Sequence, residues 1–472
     1  MIETDDLAFA SALEQAQLIR NKVVSPVELV ELYLERIERL NPKLGSYFTV
    51  MADLALTDAQ GKAELLTQKN DPSELPPFFG VPITIKDLNP VAGVRWTCGT
   101  QAMMDYVATY DDAVVSRIKQ AGFIILGKTA TSELGSLPYT EPEGFPPARN
   151  PWSLGYTPGG SSGGAAAAVA AGLCAIAQGS DGGGSIRGPA SCCGVVGLKP
   201  SRGRVSNAPI GEFQAGIATH GPLARTVADA AALLDVMSGY VTGDPYWLPD
   251  PAMTFLAATQ QTQQPLQIAF ATAVSPMGEA DPACQQAVLE TVDLMAELGH
   301  QVSSGCPDFT ALLEPFITIW QAGATVINIP GEMLGKMNRW MLAQAGSTGD
   351  YLRAIAAMHQ SAREIVAFFN TVDVLVLPTY LAPPIRIGEW AEKTPEATLE
   401  AIIRWIAPTP AFNATGQPAI SLPLGFSSTG LPIGVQLVGR PAAESTLISL
   451  AAAIEKAKPW RDRRPPLVGY QD

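Results

Sequence analysis

The feature that most restricts how this chain can fold is a cluster of glycines. Residues 155–197 hold 13 of its 43 glycines, about three times the density of the chain as a whole. Glycine has no Cβ and reaches backbone conformations closed to other residues, so such a cluster marks close backbone approach rather than generic loop. Within it lie Gly159-Gly160-Ser161-Ser162-Gly163-Gly164 and the Ala-rich stretch Ala165–Ala171, which reads as a helix. A candidate strand at Ala175–Gly179 leads to a second loop, Ser180-Asp181-Gly182-Gly183-Gly184-Ser185-Ile186-Arg187.

The surrounding pattern alternates helices and strands. Residues 7–20 and 25–40 read as amphipathic helices, the second opened by the capping box Ser25-Pro26-Val27-Glu28. Phe79–Asp87 reads as a short buried strand ending on a charged pair, and Phe123–Gly127 as another; residues 132–158 read as loop. Thr226 is placed to cap a helix through Ala230, Leu233 and Met237. Leu266–Ala271 and Val372–Leu377 read as strands, and 282–299, 351–369 and 442–457 as helices. Gln417–Val438 reads as a hairpin around Ser427-Ser428-Thr429-Gly430. No internal repeat or low-complexity linker interrupts this alternation, which argues for one α/β domain.

Composition narrows the function classes. Of 472 residues, 47% are hydrophobic and 16% charged, a balance that buries a large core and excludes disorder. The 31 Lys and Arg against 45 Asp and Glu leave a net charge of −14, which argues against nucleic acid or an anionic membrane as partner. The start Met1–Asp6 is acidic and no run of 18 apolar residues occurs, so neither a secretory signal nor a membrane span is expected. Six cysteines at 98, 174, 192, 193, 284 and 306 show neither disulfide-framework density nor paired metal-ligand spacing. A reduced cytoplasmic protein is the simplest expectation.

Three segments carry chemistry together: Lys86, a lone amine ending an apolar run; the serine pair Ser161-Ser162; and Ser185 behind three consecutive glycines. A serine nucleophile needs a base, and the three histidines, His220, His300 and His359, lie far from both serine clusters in sequence. A buried lysine can serve, because desolvation disfavours its ammonium form. Without Cβ atoms at Gly182, Gly183 and Gly184, peptide N–H groups can converge on a developing oxyanion beside Ser185.

On these residues the sequence resembles the amidase signature family. The matching stretches are Gly80–Asp87, Gly159–Gly164 with its Ala-rich helix, Gly179–Arg187 and Gly194–Pro200, with weaker matches at Gly221–Thr226 and Gly416–Pro423. The resemblance implies one large domain, residues 1–472, with a mixed sheet of about 11 strands covered by helices on both faces. N-terminal helices (1–75) would pack on a catalytic core (80–240), and helices at 300–350 would form a variable substrate wall. It makes Ser185 the nucleophile, Ser161 a bridging serine on a cis peptide bond, and Lys86 the general base. The N–H groups of Gly182, Gly183 and Gly184 would form the oxyanion hole, with Asp181, Arg187 and Ser162 supporting the loops. For Arg187 a structural salt bridge is the favoured role. No metal or organic cofactor is required.

Rival readings have testable marks. Gly160-Ser161-Ser162-Gly163-Gly164 also fits the G-x-S-x-G nucleophile elbow with Ser162 as nucleophile, but Leu154–Gly159 makes a poor preceding strand. A phosphate- or nucleotide-binding module lacks a G-x-x-x-x-G-K-[ST] or a clean G-x-G-x-x-G. A glutamine amidotransferase-type subunit needing a protein partner is disfavoured by Val205–Gly211.

Thr140-Glu141-Pro142-Glu143, Asn150-Pro151-Trp152 and Arg463-Arg464-Pro465 look most like the 6-aminohexanoate-cyclic-dimer hydrolase branch of the family. That resemblance implies hydrolysis of small neutral linear, cyclic or aryl amides, extending to carbamates and esters. Leu134, Gly135, Ser136 and Trp320 are the candidate substrate wall, Trp320 being equally readable as a core aromatic. Oligomeric state is not legible; a homodimer is compatible with everything above.

Overall fold

The computed structural model describes residues 4–69, 71–212, 214–262, 264–326 and 328–469; Met1, Ile2 and Glu3 of the acidic start lie outside them. In chain order the strands are β1 (Tyr47–Val50), β2 (Pro82–Lys86), β3 (Ile124–Thr129), β4 (Ile176–Asp181), β5 (Val196–Lys199), β6 (Thr219–Ala224) and β7 (Gln267–Phe270). Then come β8 (Ala273–Val274), β9 (Gly278–Glu279), β10 (Gln301–Ser304), β11 (Val374–Pro378), β12 (Ala419–Phe426) and β13 (Pro432–Gly439). Eleven of them form one mixed sheet in the order β1-β3-β2-β4-β6-β5-β12-β13-β11-β7-β10, and β8 and β9 make a separate ribbon.

Strands β2, β3, β5, β11 and β13 are buried at every position, so both faces of the sheet are covered, here by members of the 16 α-helices among the described residues. Among the described residues no helix is long and apolar enough to cross a membrane. All six cysteines are free.

Local signals explain most elements. Pro26–Leu44 is a helix capped by Ser25, with Glu28 closing the capping box. Thr226 caps Val227–Met237, and the hairpin forms as β12 and β13. One expectation is corrected: residues 7–20 are not one helix. Thr4–Ala8 ends before Ser11, which opens Ala12–Arg20 with its own capping box to Glu14. The side chain of Ser11 competes with helix continuation by taking the Glu14 N–H, and the apolar pattern hides that break. The helix Ala52–Gln68 has no side-chain cap, which is why the sequence gives so little warning of it.

The sheet positions the chemistry. Strand β2 runs parallel to β4, with Ile85 opposite Gln178, so Lys86 and Ser180 leave the sheet at the same carboxyl-terminal edge. Sites in α/β sheets gather at this edge.

Candidate active site

Lys86 is fully buried at the end of β2, and its Nζ lies 2.7 Å from Ser161 Oγ, 3.0 Å from Ser180 Oγ and 3.4 Å from the Ser180 carbonyl. Burial brings its pKa down from the ordinary 10.5 to about 7; the charge of Asp181 pulls the other way and is outweighed. The peptide bond Gly160-Ser161 is cis. The Ser162 N–H donates to the Ser185 carbonyl at 3.2 Å, tying the two serine loops together.

Ser185 follows β4 at the end of the glycine loop, one residue before the short helix Arg187–Cys193 begins, and lines an open cleft. Asp181 organises the loop from behind. Its carboxylate accepts from the N–H groups of Gly184 (2.8 Å) and Ile186 (3.1 Å), from Arg187 Nε (3.0 Å) and Nη2 (2.8 Å), and from Asn413 Nδ2 (2.9 Å). Burial alone would raise its pKa; the charge and hydrogen bonds of Arg187, with Lys199 and Asn413 helping, hold it well below the usual carboxylate range. Arg187 spends its remaining donors on the Thr409 carbonyl, Gln436 Oε1 and Asn413 Oδ1, so this fully buried pair has its hydrogen bonds met.

The glycine N–H groups are therefore not equivalent. Gly184 N–H is committed to Asp181, whereas those of Gly182, Gly183 and Ser185 have no hydrogen bond among the described residues. An added Cβ on Gly184, whose φ is +125°, would overlap the Thr409 hydroxyl.

The proposed wall residues divide. Ser136 and Trp320 line the cleft, and Trp320 Nε1 donates to the Ser136 carbonyl at 3.2 Å. The Trp320 ring lies 3.3 Å from where a Cβ on Gly182 would sit and packs near-parallel to Phe316, with ring centroids 5.9 Å apart. Leu134 and Gly135 do not line it: a Cβ on Gly135 would meet Leu88 Cδ1 at 2.6 Å and Ser161 Oγ at 3.4 Å, so this turn packs behind Ser161. None of the described lining residues is charged, and most are aliphatic or aromatic, from Phe309–Gln321, Met337, Met341 and the helix Pro395–Ile406.

Ser162 is fully buried, its hydroxyl donating to the Ser180 carbonyl at 3.2 Å. The segment before it, Leu154–Gly159, forms no strand beyond one isolated bridge from Tyr156 to Arg386, so the nucleophile-elbow setting is missing. His220 does reach the vicinity, opposite Ser180 on β6, with Asn89 Nδ2 (3.4 Å) and Gln178 Nε2 (3.3 Å) facing its Nδ1. Burial and then the Lys86 charge lower its pKa to about 4, so it is neutral near pH 7. Sequence reading gave no role to Ser180, Thr409, Asn413 or Gln436. Ser180 could have been found from the parallel neighbour relation of β2 and β4; the other three carry no local signal.

Comparison with known proteins identifies the family of the chain. The family model described as Amidase matches residues 28–448. A putative amidase of Synechocystis sp. is 50% identical over 451 residues, covering 96% of this chain and 89% of the relative. The 6-aminohexanoate-cyclic-dimer hydrolase of Pseudomonas sp. is 36% identical over 491 residues, covering 97% and 96%. The structure of a 6-aminohexanoate cyclic dimer hydrolase complexed with substrate superimposes with a TM-score of 0.91 at 34% identity, covering 98% of this chain and 99% of that one. With the matching fold and a family model spanning most of its length, the chain belongs to the amidase signature family and is an amide-hydrolysing enzyme.

Proposed function

We propose that the enzyme hydrolyses small neutral amides through Ser185, Ser161 and Lys86 and an acyl-enzyme. The observation that carries this reading is the fully buried amine of Lys86, 2.7 Å from Ser161 Oγ beside the loop that bears Ser185, where burial lowers its pKa to about 7. Neutral Lys86 takes the Ser161 proton, Ser161 takes the Ser185 proton, and Ser185 Oγ attacks the substrate carbonyl carbon. The negative charge moves to the carbonyl oxygen, where the unoccupied N–H groups of Gly182, Gly183 and Ser185 can receive it. Gly184, expected as a donor from sequence, instead fastens the loop to Asp181. The C–N bond breaks as the proton returns through Ser161 to the departing amine. A water molecule then gives a proton to the same relay, attacks the acyl ester and releases the acid.

The cleft argues for the substrate class. A charged group placed there would be desolvated without a counter-charge, so neutral substrates with apolar acyl or amine parts are favoured. Linear, cyclic and aryl amides meet that description, and carbamates and esters share the same carbonyl chemistry. Glutamine does not, since nothing charged among the described residues lines the cleft to meet its ammonium and carboxylate. The test is a panel of anilides, aliphatic amides, cyclic amides and carbamates on wild type and Ser185→Ala, with mass spectrometry after a serine-directed fluorophosphonate. Turnover by wild type, none by Ser185→Ala and an adduct on Ser185 are expected; activity retained by Ser185→Ala would sink the reading.

A further inference from the structure

The glycine loop that offers the open N–H groups is fastened by a residue far outside it. The peptide unit joining Gly183 to Gly184 is hydrogen-bonded at both ends. Thr409 Oγ1 donates to the Gly183 carbonyl at 2.8 Å, and the Gly184 N–H donates to Asp181 Oδ1 at 2.8 Å. In a trans peptide the C=O and N–H point in opposite directions, so these two bonds fix the plane's orientation. Among the described residues the Gly183 carbonyl has no other partner.

Thr409 is built for this contact. It is fully buried, three residues beyond the helix Pro395–Ile406, and does not line the cleft. Its hydroxyl also lies 2.9 Å from the Ile406 carbonyl, which already accepts the Thr409 N–H at 2.9 Å; the single hydroxyl proton goes to Gly183, whose buried carbonyl would otherwise be left unsatisfied. The space that Gly184 leaves by lacking a Cβ is the space the Thr409 side chain occupies.

We propose that Thr409 is a positioning residue for amide hydrolysis: its hydroxyl holds the Gly183–Gly184 peptide so that the flanking N–H groups stay aimed at the substrate's carbonyl oxygen. Consecutive glycines have the widest backbone freedom of any sequence, and oxyanion donors act fully only when they need not reorganise during the reaction. Asp181 restrains one end of the plane and Thr409 the other. The inference rests on the Ser185 reading above.

The test compares Thr409→Val, which keeps the shape and removes the hydroxyl, with Thr409→Ser, which keeps the hydroxyl. Thr409→Val is expected to lose about ten- to hundredfold in kcat with KM changed by less than about twofold, short of the ~10²–10³ for deleting a donor outright. Thr409→Ser should recover most of the rate. Affinity for an alkyl boronic acid, which forms a tetrahedral adduct on a serine, should fall in parallel with kcat/KM. Should Thr409→Val not fold, Thr409→Ala removes the same hydroxyl without a clash and carries the same expectation. A wild-type kcat in the hydroxyl-less variant, an effect on KM alone, or an equal loss in Thr409→Ser overturns the proposal. Ser185→Ala run in parallel separates the two ideas. An inactive Ser185→Ala beside a fully active Thr409→Val refutes only the role of Thr409, whereas an active Ser185→Ala refutes the nucleophile.

Discussion

If neutral Lys86 is the base, kcat/KM must follow its titration. The perturbation is pH itself, together with Lys86→Arg. Burial lowers the amine from its ordinary 10.5 to about 7. At pH 7 about half of the molecules then carry a neutral amine, whereas an unshifted lysine would leave about one in 3,000. Protonation removes the base, so activity is lost on the acid side: about tenfold per unit, leaving roughly one hundredth at pH 5.

The assay is kcat/KM for an anilide between pH 3 and 9, since this parameter reports the free enzyme. Lys86→Arg keeps the cation but cannot deprotonate in this range, and a loss of about 10³-fold or more is expected. A profile flat from pH 5 to 8, or Lys86→Arg within tenfold of wild type, refutes the reasoning. A limb near 4 that vanishes in His220→Gln would move the base to the neighbouring histidine, whose own pKa is lowered to about 4.

The uncharged cleft predicts that acyl chain length is rewarded. Each added methylene in a series of n-alkanoyl anilides should raise kcat/KM about fourfold, from ~0.8 kcal/mol per buried CH₂, until the space is filled, and a terminal carboxylate should reverse the gain. A flat series would contradict this. Gly188→Ala places a Cβ on the Tyr380 hydroxyl and should destabilise by about 1–3 kcal/mol, with partial recovery in the double variant Gly188→Ala/Tyr380→Phe; thermal melts check it. Lys86→Met should be more thermostable than wild type, and the sign of its pH dependence is fixed. Because the folded pKa lies below the unfolded one, Lys86 weakens the fold most below pH 7 and its penalty fades as pH rises from about 7 to 10.5. The gap in Tm between Lys86→Met and wild type should therefore shrink over that window, and a constant gap would argue against a buried amine.

Much of this was legible because the relevant causes are local. Ser25 and Thr226 announce their helices by the side chains that cap them. The apolar run before Lys86 is apolar because β2 is covered on both faces, and that burial is also what lowers the lysine's pKa. The scarcity of histidine pointed toward a lysine base, although it did not reveal that His220 would fold to within reach of Lys86's electrostatic influence. The three loop glycines were also readable as a group. Their division into two kinds was not, because Gly184 N–H is claimed by a carboxylate whose aim depends on Arg187 and Asn413. The turn at Leu134–Gly135 was placed one layer too close to substrate, since nothing local shows that Gly135 faces Leu88 and Ser161.

Part of the glycine cluster makes physical sense only through partners outside it. Gly160 packs against the backbone of Leu137 and Tyr139, Gly184 against Thr409, and Gly188 against Tyr380. The Arg187 guanidinium that fixes Asp181 bonds residues 222 to 249 positions away, at Thr409, Asn413 and Gln436. The second loop of a signature that looks self-contained in sequence is thus one side of an interface whose other side lies at 380–436. Substitutions in that second segment should register first as losses in kcat, since a loop that keeps its sequence but loses its supports keeps the donors and loses their aim.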